Sequence, residues 1–166
     1  PWEAKPGDVV IEPGIAFGTG EHPTTYSCLR AIAQWATIGG TCLDVGCGSG
    51  VLALAAAHLG MVSYGIDIEE QAILSAKENA SVNRIAAKFD QTDIGDIDQK
   101  YDVVVANLYA EVLVALSESI IFCTKEKLAL AGILVEKEKM VIEAFSSLTL
   151  IERKVDGDWV SLWYSR

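Results

Sequence analysis

The stretch Leu43-Asp44-Val45-Gly46-Cys47-Gly48-Ser49-Gly50 connects a short apolar run, residues 41–45, to a helical pattern predicted over 51–59. Three glycines at alternate positions permit a tight turn and leave room for a ligand against the backbone. In an open parallel sheet, ligands bind beyond the carboxyl ends of the strands, and the start of the following helix favours polar or anionic groups. The stretch therefore predicts a strand–turn–helix unit that forms part of a ligand site.

An acidic residue, Asp67, follows the next predicted strand, residues 62–66, and precedes a helical pattern over 69–82. It lies about 20 positions after the first loop glycine, a spacing that suits a carboxylate binding the ribose hydroxyls of a nucleoside cofactor. Each feature alone has a simpler explanation, because glycines can form only a turn and an aspartate can only start a helix. Their conjunction in one strand–helix–strand unit favours a nucleoside site.

The remaining chain alternates helix-like and strand-like segments. Helices are predicted over 26–35, 111–121 and 137–145, and further strands over 87–89, 101–106 and 128–135. Two last strand-like runs, 148–154 and 158–164, flank Val155-Asp156-Gly157, a strong hairpin signal. We predict one α/β domain over 1–166, with a mostly parallel sheet, helices on both faces and a C-terminal antiparallel hairpin.

Composition narrows the classes of partner. The 166 residues include 13 basic and 23 acidic side chains, a net charge of −10, without a cluster of Lys and Arg. Such a chain repels phosphate backbones, so we expect no direct contact with nucleic acid and regard a basic, lysine-rich protein as a compatible partner. No apolar stretch reaches the roughly 18 residues of a membrane span, and the first residues lack the apolar run of a signal peptide. We expect a soluble, cytoplasmic protein.

The cysteines do not indicate a metal site or disulfides. None of Cys28, Cys42, Cys47 and Cys123 forms a Cys-x-x-Cys pair, and the chain has only two histidines. Ordinary buried thiols in a reducing compartment account for this pattern.

The glycine spacing distinguishes between nucleoside cofactors. Dinucleotide enzymes favour Gly-x-Gly-x-x-Gly, whereas this loop is Gly46-x-Gly48-x-Gly50 preceded by Asp44, and no Gly-Lys-Ser/Thr phosphate loop is present. The stretch resembles the first motif of class I methyltransferases, which use S-adenosyl-L-methionine. The resemblance implies a Rossmann-like fold with seven strands, a glycine loop beside the methionine part of the cofactor, and an Asp67 carboxylate on the ribose.

Two further stretches narrow the resemblance to one family. The segment 13–25, Pro-Gly-Ile-Ala-Phe-Gly-Thr-Gly-Glu-His-Pro-Thr-Thr, and the turn Asn107-Leu108-Tyr109-Ala110 are similar to signatures of the ribosomal protein L-eleven methyltransferases, the PrmA family. Residues 131–134 and the ending Asp158-Trp159-Val160 also resemble that family. The resemblance covers nearly the whole chain, although the separate N-terminal substrate-recognition domain of full-length members is expected to be absent.

The resemblance assigns roles by position in these motifs. The implied cofactor-binding residues are Thr25, Gly46, Gly48, Gly50, Asp67, Asp93 and Asn107. Asp93 would lie near the adenine. A loop over the methyl group and the acceptor amine would contain Phe17, Gly18, Thr19 and His22, with the first 40 residues covering the active site. Asn107 and Phe17 are the implied catalytic residues. Simpler roles remain open: Thr25 starting a helix, Asn107 ending a strand, and His22 bonding within its own loop.

The implied activity is S-adenosylmethionine-dependent N-methylation of a lysine or α-amine on a ribosomal protein. The amine must first lose its proton, which an apolar pocket favours, and the protein must then align nucleophile, methyl and sulfur. Three alternatives stay open: methylation of another protein or a small amine, a non-catalytic cofactor-binding module, and a dinucleotide-dependent oxidoreductase, which the loop spacing disfavours. The oligomeric state is not indicated.

Overall fold

One seven-stranded sheet organises the protein in a computed structural model that describes residues 9–10 and 22–166. The strands are β1 (Thr41–Val45), β2 (Val62–Asp67), β3 (Lys88–Gln91), β4 (Tyr101–Asn107), β5 (Thr124–Leu134), β6 (Thr149–Asp156) and β7 (Trp159–Ser165). The sheet order is β3-β2-β1-β4-β5-β7-β6, in which the first five strands run parallel and β7 pairs antiparallel with both β5 and β6. The predicted parallel sheet with a terminal hairpin is confirmed.

Helices cover both faces of the sheet. They are α1 (Pro23–Trp35), α2 (Val51–His58), α3 (Glu70–Asn83), α4 (Ala110–Ala115), α5 (Ser117–Cys123) and α6 (Glu138–Ala144), with short 3₁₀ turns at Ile94–Asp96 and Val135–Lys137. In β4, Val103 and Val105 pack in a cluster with side chains of α1 and α2. The alternate residues, Val104 and Ala106, pack in a cluster with α4, α5 and α6. Burial on both faces explains why the central strands read as unbroken apolar runs.

The strand order places two loops side by side. The chain leaves β1 toward β2 on one side, whereas β4 lies on the other side of β1. Val45, the last residue of β1, pairs with Ile66 of β2 and with Ala106 of β4. The carboxyl ends of these strands therefore meet at the point where the connections diverge, which is where open α/β sheets bind ligands.

Several predicted boundaries were wrong. The predicted helix 111–121 is two helices, α4 and α5, separated at Leu116 (φ −96°, ψ 4°). The Ser117 hydroxyl donates to the Val114 carbonyl at 2.8 Å, a local bond that competes with regular helix hydrogen bonding. Helix α1 starts at Pro23 rather than at residue 26, because proline suits the first helical turn and His22 caps it. Strand β5 begins at Thr124, four residues earlier than predicted.

Two structural absences apply to residues 9–10 and 22–166. No helix there combines the length and apolar character required to cross a membrane. Nor does that part of the chain bring together three or more His, Cys, Asp or Glu side chains suited to a metal ion. The four cysteines are free and buried.

Candidate active site

A cavity of about 780 Å³ opens at the carboxyl ends of β1, β2 and β4. The structure brings six of the predicted site residues to its wall: His22, Thr25, Gly46, Gly48, Asp67 and Asn107. Three predicted residues, Phe17, Gly18 and Thr19, lie outside the described residues. Helix α1 contributes to the wall through Thr24 and Thr25, so the start of this helix borders the cavity.

The glycine loop between β1 and α2 depends on left-handed backbone. Gly46, Gly48 and Gly50 have φ values of 69°, 52° and 80°, which only glycine adopts at little cost. The amides of Gly46 and Cys47 both donate to the Ile66 carbonyl, at 2.9 and 3.0 Å, and hold the loop against β2. A β-carbon on Gly50 would lie 2.9 Å from Ala76 and Phe89 side-chain atoms. Gly50 is not part of the cavity wall. The absence of a side chain at Gly50 lets the start of α2 pack closely against α3 and β3.

Asp67 binds this loop through backbone amides. Its Oδ2 accepts a hydrogen bond from the Gly48 amide at 3.0 Å, and its Oδ1 accepts one from the Glu69 amide at 3.0 Å. An ionised carboxylate has about four lone-pair positions, so these two bonds leave each oxygen able to accept another. Asp67 is therefore fixed in orientation and suited to a pair of neighbouring hydroxyl groups in the cavity.

Asp44 lies beneath the glycine loop and is 1% exposed. Burial raises the pKa of its carboxyl to about 7, a shift opposed by the hydrogen bond from the Ala53 amide and reinforced by the charge of Asp67. The Ala53 amide donates to Oδ2 at 3.1 Å, so Asp44 satisfies a donor in the first turn of α2. The neighbouring Cys47 thiol is not a nucleophile at neutral pH, because burial raises its pKa.

Asn107 ends β4 and bonds across the cavity wall to α1. Its amide nitrogen donates to Thr25 Oγ1 at 3.2 Å, and Thr25 is 1% exposed. The bond leaves the Asn107 amide oxygen as the acceptor that this side chain can offer to a bound amine. Thr25 thus lies in the first turn of α1 and orients the Asn107 amide; the cofactor contacts predicted for Thr25 and Asn107 stay predictions.

The turn after β4 is packed between two glycines. A β-carbon on Gly46 would lie 2.5 Å from Leu108 Cδ2, and one on Gly132 would lie 2.5 Å from the Leu108 carbonyl oxygen. Gly132 has a φ of 83° and lies where the β5–β7 register shifts. Glycines at both positions therefore allow Leu108, and Asn107 before it, to lie close to the glycine loop.

Two aromatic residues of the cavity wall carried no predicted role. Trp159, the first residue of β7, packs edge-on against His22 with ring centroids 5.2 Å apart, and Tyr109 is exposed at the rim. The His22 ring accepts from the Thr24 amide and lies 2.8 Å from its hydroxyl, contacts by which it caps α1. The hairpin turn before Trp159 predicts that a strand begins there. It does not predict the contact between Trp159 and His22.

Asp93 is placed away from the cavity wall. Its Oδ1 accepts from the Gly95 amide at 2.7 Å and caps the 3₁₀ turn Ile94–Asp96. A cofactor contact at Asp93 stays a prediction.

The charge of the cavity selects among ligands. Four carboxylates line it, from Asp44, Asp67, Glu69 and Glu78, and the described lining residues include no Lys or Arg. The negative potential of this wall disfavours polyanionic ligands. A cationic ligand such as a sulfonium or an ammonium suits this wall.

Comparisons of sequence agree on one family. A family model described as "Ribosomal protein L11 methyltransferase (PrmA)" matches residues 2–166. The ribosomal protein L11 methyltransferase of Geobacter metallireducens is 44% identical over 171 residues, which cover 99% of this chain and 57% of that protein. That of Campylobacter lari is 40% identical over 164 residues, covering 96% of this chain and 58% of that protein. The chain thus spans a little over half the length of these two curated relatives.

Comparisons of structure confirm the class I methyltransferase fold. Ribosomal protein L11 methylase from Lactobacillus delbrueckii subsp. bulgaricus matches with a TM-score of 0.88 at 30% identity, covering 95% of this chain and 84% of that chain. Magnesium protoporphyrin IX methyltransferase (ChlM) from Synechocystis with bound SAM matches with a TM-score of 0.72 at 18% identity, over 86% of this chain and 81% of that chain; it shares the fold. By sequence and by fold, the chain belongs to the ribosomal protein L11 methyltransferase (PrmA) family.

Proposed function

We propose that this chain binds S-adenosylmethionine and catalyses N-methylation of a lysine or α-amine on a ribosomal protein of the L11 type. The observation that carries the proposal is the cavity wall, in which oriented acceptors face a space with four carboxylates and no described Lys or Arg. Family membership supports the same activity, since the relatives are named ribosomal protein L11 methyltransferases.

The cofactor side consists of the glycine loop and Asp67. Asp67 accepts hydrogen bonds from the two ribose hydroxyls with the lone pairs that Gly48 and Glu69 leave available. Gly46 and Gly48 provide a surface without side chains for the methionine part. Asp67, Glu69 and Glu78 supply negative charge near a ligand that carries a sulfonium and an ammonium.

The acceptor side consists of the turn after β4 and the start of α1. Bound S-adenosylmethionine supplies an electrophilic methyl group, so the protein must bind an uncharged amine in line with it. Asn107, oriented by Thr25, accepts a hydrogen bond from that amine. Leu108, Tyr109 and Trp159 add apolar surface to the wall, which favours the neutral form of an entering lysine.

A lysine-rich acceptor is consistent with the charge of the whole chain. The net charge is −10, and Glu69 and Glu78 are exposed residues of the cavity wall. Attraction between opposite charges accelerates the encounter of two such proteins. Added salt screens this attraction. A ribosomal acceptor would place the reaction in the cytoplasm.

The experiment is a methyl-transfer assay with isotopically labelled S-adenosylmethionine. Purified ribosomal protein L11, a second lysine-rich ribosomal protein and free lysine are offered separately, and the products are located by mass spectrometry. We expect labelled amines on L11 and a large loss of turnover with Asn107→Ala. Labelling of the second protein or of free lysine alone would favour another acceptor. Cofactor binding without transfer to any of the three would favour a non-catalytic module.

A further inference from the structure

Two asparagines of α3 lie behind the glycine loop, outside the cavity wall. Asn79, which is 1% exposed, donates from Nδ2 to the Ser49 carbonyl at 2.9 Å. Asn83, one turn later, donates from Nδ2 to the Asn79 carbonyl at 2.7 Å. A buried side chain of α3 therefore holds the peptide between two of the loop glycines, and Asn83 bonds to the residue that provides it.

Asn83 also binds both backbone groups of Val10. Its Oδ1 accepts from the Val10 amide at 2.6 Å, and its Nδ2 donates to the Val10 carbonyl at 2.6 Å. This paired exchange is the pattern that a residue of a neighbouring strand makes. The preceding side chain, Val9, packs on the apolar cluster that contains Ala76 of α3 and Phe89 of β3. Residues 9–10 are thus held to the last turn of α3 by polar and apolar contacts.

The last turn of α3 needs such support. Arg84, which follows it, has a φ of 55° and is the one described non-glycine residue with a positive φ. This left-handed conformation costs a residue with a β-carbon about 1–2 kcal/mol. The bonds between Asn83 and Val10 oppose fraying of this turn, which ends at the strained Arg84. The same turn carries the Asn83 side chain that donates to the Asn79 carbonyl.

We propose that Asn83 is a positioning residue for the cofactor loop, which it couples to the chain at Val10. The coupling runs from Val10 through Asn83 and Asn79 to the Ser49 carbonyl. It rests on the proposed function in one respect, since the ligand that the loop binds is S-adenosylmethionine or its product. Any stabilisation of the ligand-binding loop by the Val10 contact must be returned as stabilisation of that contact by the ligand.

The test combines hydrogen exchange at the Val10 amide with calorimetric titration of S-adenosylhomocysteine. Asn83→Asp keeps the shape of the side chain but has no donor, and it sets a negative oxygen against the Val10 and Asn79 carbonyls. Ser81→Ala is the matched control on the exposed face of the same turn. We expect S-adenosylhomocysteine to slow exchange at Val10 in the wild-type protein, and Asn83→Asp to weaken binding about tenfold while abolishing that protection. Ser81→Ala should bind within about twofold of wild type.

The outcomes separate the inference from the proposed function. Tight wild-type binding with unchanged affinity in Asn83→Asp overturns the inference alone, as does wild-type binding that leaves Val10 exchange unaltered. The exchange measurement needs no variant, so unaltered exchange at Val10 overturns the inference even if Asn83→Asp fails to fold. A folded wild-type protein that does not bind S-adenosylhomocysteine overturns both.

Discussion

The proposed cofactor side and the proposed acceptor side of the cavity are built in different ways. The cofactor side comes from one strand–helix–strand unit, in which backbone amides of a glycine loop bind Asp67 and the Ile66 carbonyl. The acceptor side comes from four distant parts of the chain: the start of α1, the turn after β4, Gly132 of β5 and Trp159 of β7. A local backbone scaffold therefore fixes the cofactor side, whereas tertiary packing determines the acceptor side.

We expect the largest effect from a substitution that displaces the proposed acceptor side alone. Gly132→Ala would place a β-carbon 2.5 Å from the Leu108 carbonyl oxygen, so the turn that carries Asn107 must shift. We expect methyl transfer to fall about 100-fold, since displacements near 1 Å cost that much in alignment, while affinity for S-adenosylhomocysteine changes about threefold or less. Gly157→Ala is the control. Gly157 also has a positive φ, 58°, but a β-carbon added there would have no atom of the described residues within 4 Å.

The two sides touch where Gly46 faces Leu108, and this contact tests whether they are independent. A methyl group on Gly46 would overlap Leu108 Cδ2 at 2.5 Å. We expect Gly46→Ala to reduce kcat/KM about tenfold, a cost near 1.4 kcal/mol. The double variant Gly46→Ala with Leu108→Ala removes the overlap and should recover part of that loss. Strictly additive losses would show that the contact does not join the two sides.

A smaller effect is expected from the hydrogen bond that orients Asn107. Thr25→Val keeps the side-chain shape and removes the acceptor at 3.2 Å. We expect kcat to fall roughly three- to tenfold, as for loss of one neutral hydrogen bond, with little change in cofactor affinity. Ser27→Ala on the same helix is the comparison, because its buried hydroxyl has no hydrogen-bond partner among the described residues. Equal kinetics in both variants would remove Thr25 from the acceptor side.

The smallest effect concerns the scaffold of the cofactor side. Arg84→Gly relieves the positive φ of 55° at the end of α3, and we expect it to raise the free energy of unfolding by about 1 kcal/mol. Arg84→Ala keeps the strain and should not be stabilising. Chemical denaturation of both variants measures the difference. A lower stability for Arg84→Gly would show that the arginine side chain contributes more than its backbone strain costs.

The same contrast explains what the sequence could predict. Gly46, Gly48 and Asp67 were predictable because a short spacing in one structural unit encodes their geometry. Trp159 and Gly132 were not, since their proximity to His22 and Leu108 follows from strand order and register. The break at Leu116 was not predicted, because nothing in the sequence indicates the Ser117 bond to the Val114 carbonyl that accompanies it. The sequence around Asn79 and Asn83 does not indicate their partners, because Ser49 and Val10 are distant in the chain.

The most direct test of the central claim is calorimetric titration of S-adenosylhomocysteine into the wild-type protein and the variants Asp67→Asn and Asp98→Asn. Both substitutions remove one negative charge, but Asp67 lies in the cavity wall and Asp98 is exposed outside it. We predict micromolar binding by the wild type and Asp98→Asn, and a loss of about 100-fold for Asp67→Asn, as expected when hydrogen bonds to a charged group are weakened. Equal affinity for all three proteins, or no binding by a folded wild type, would contradict the account.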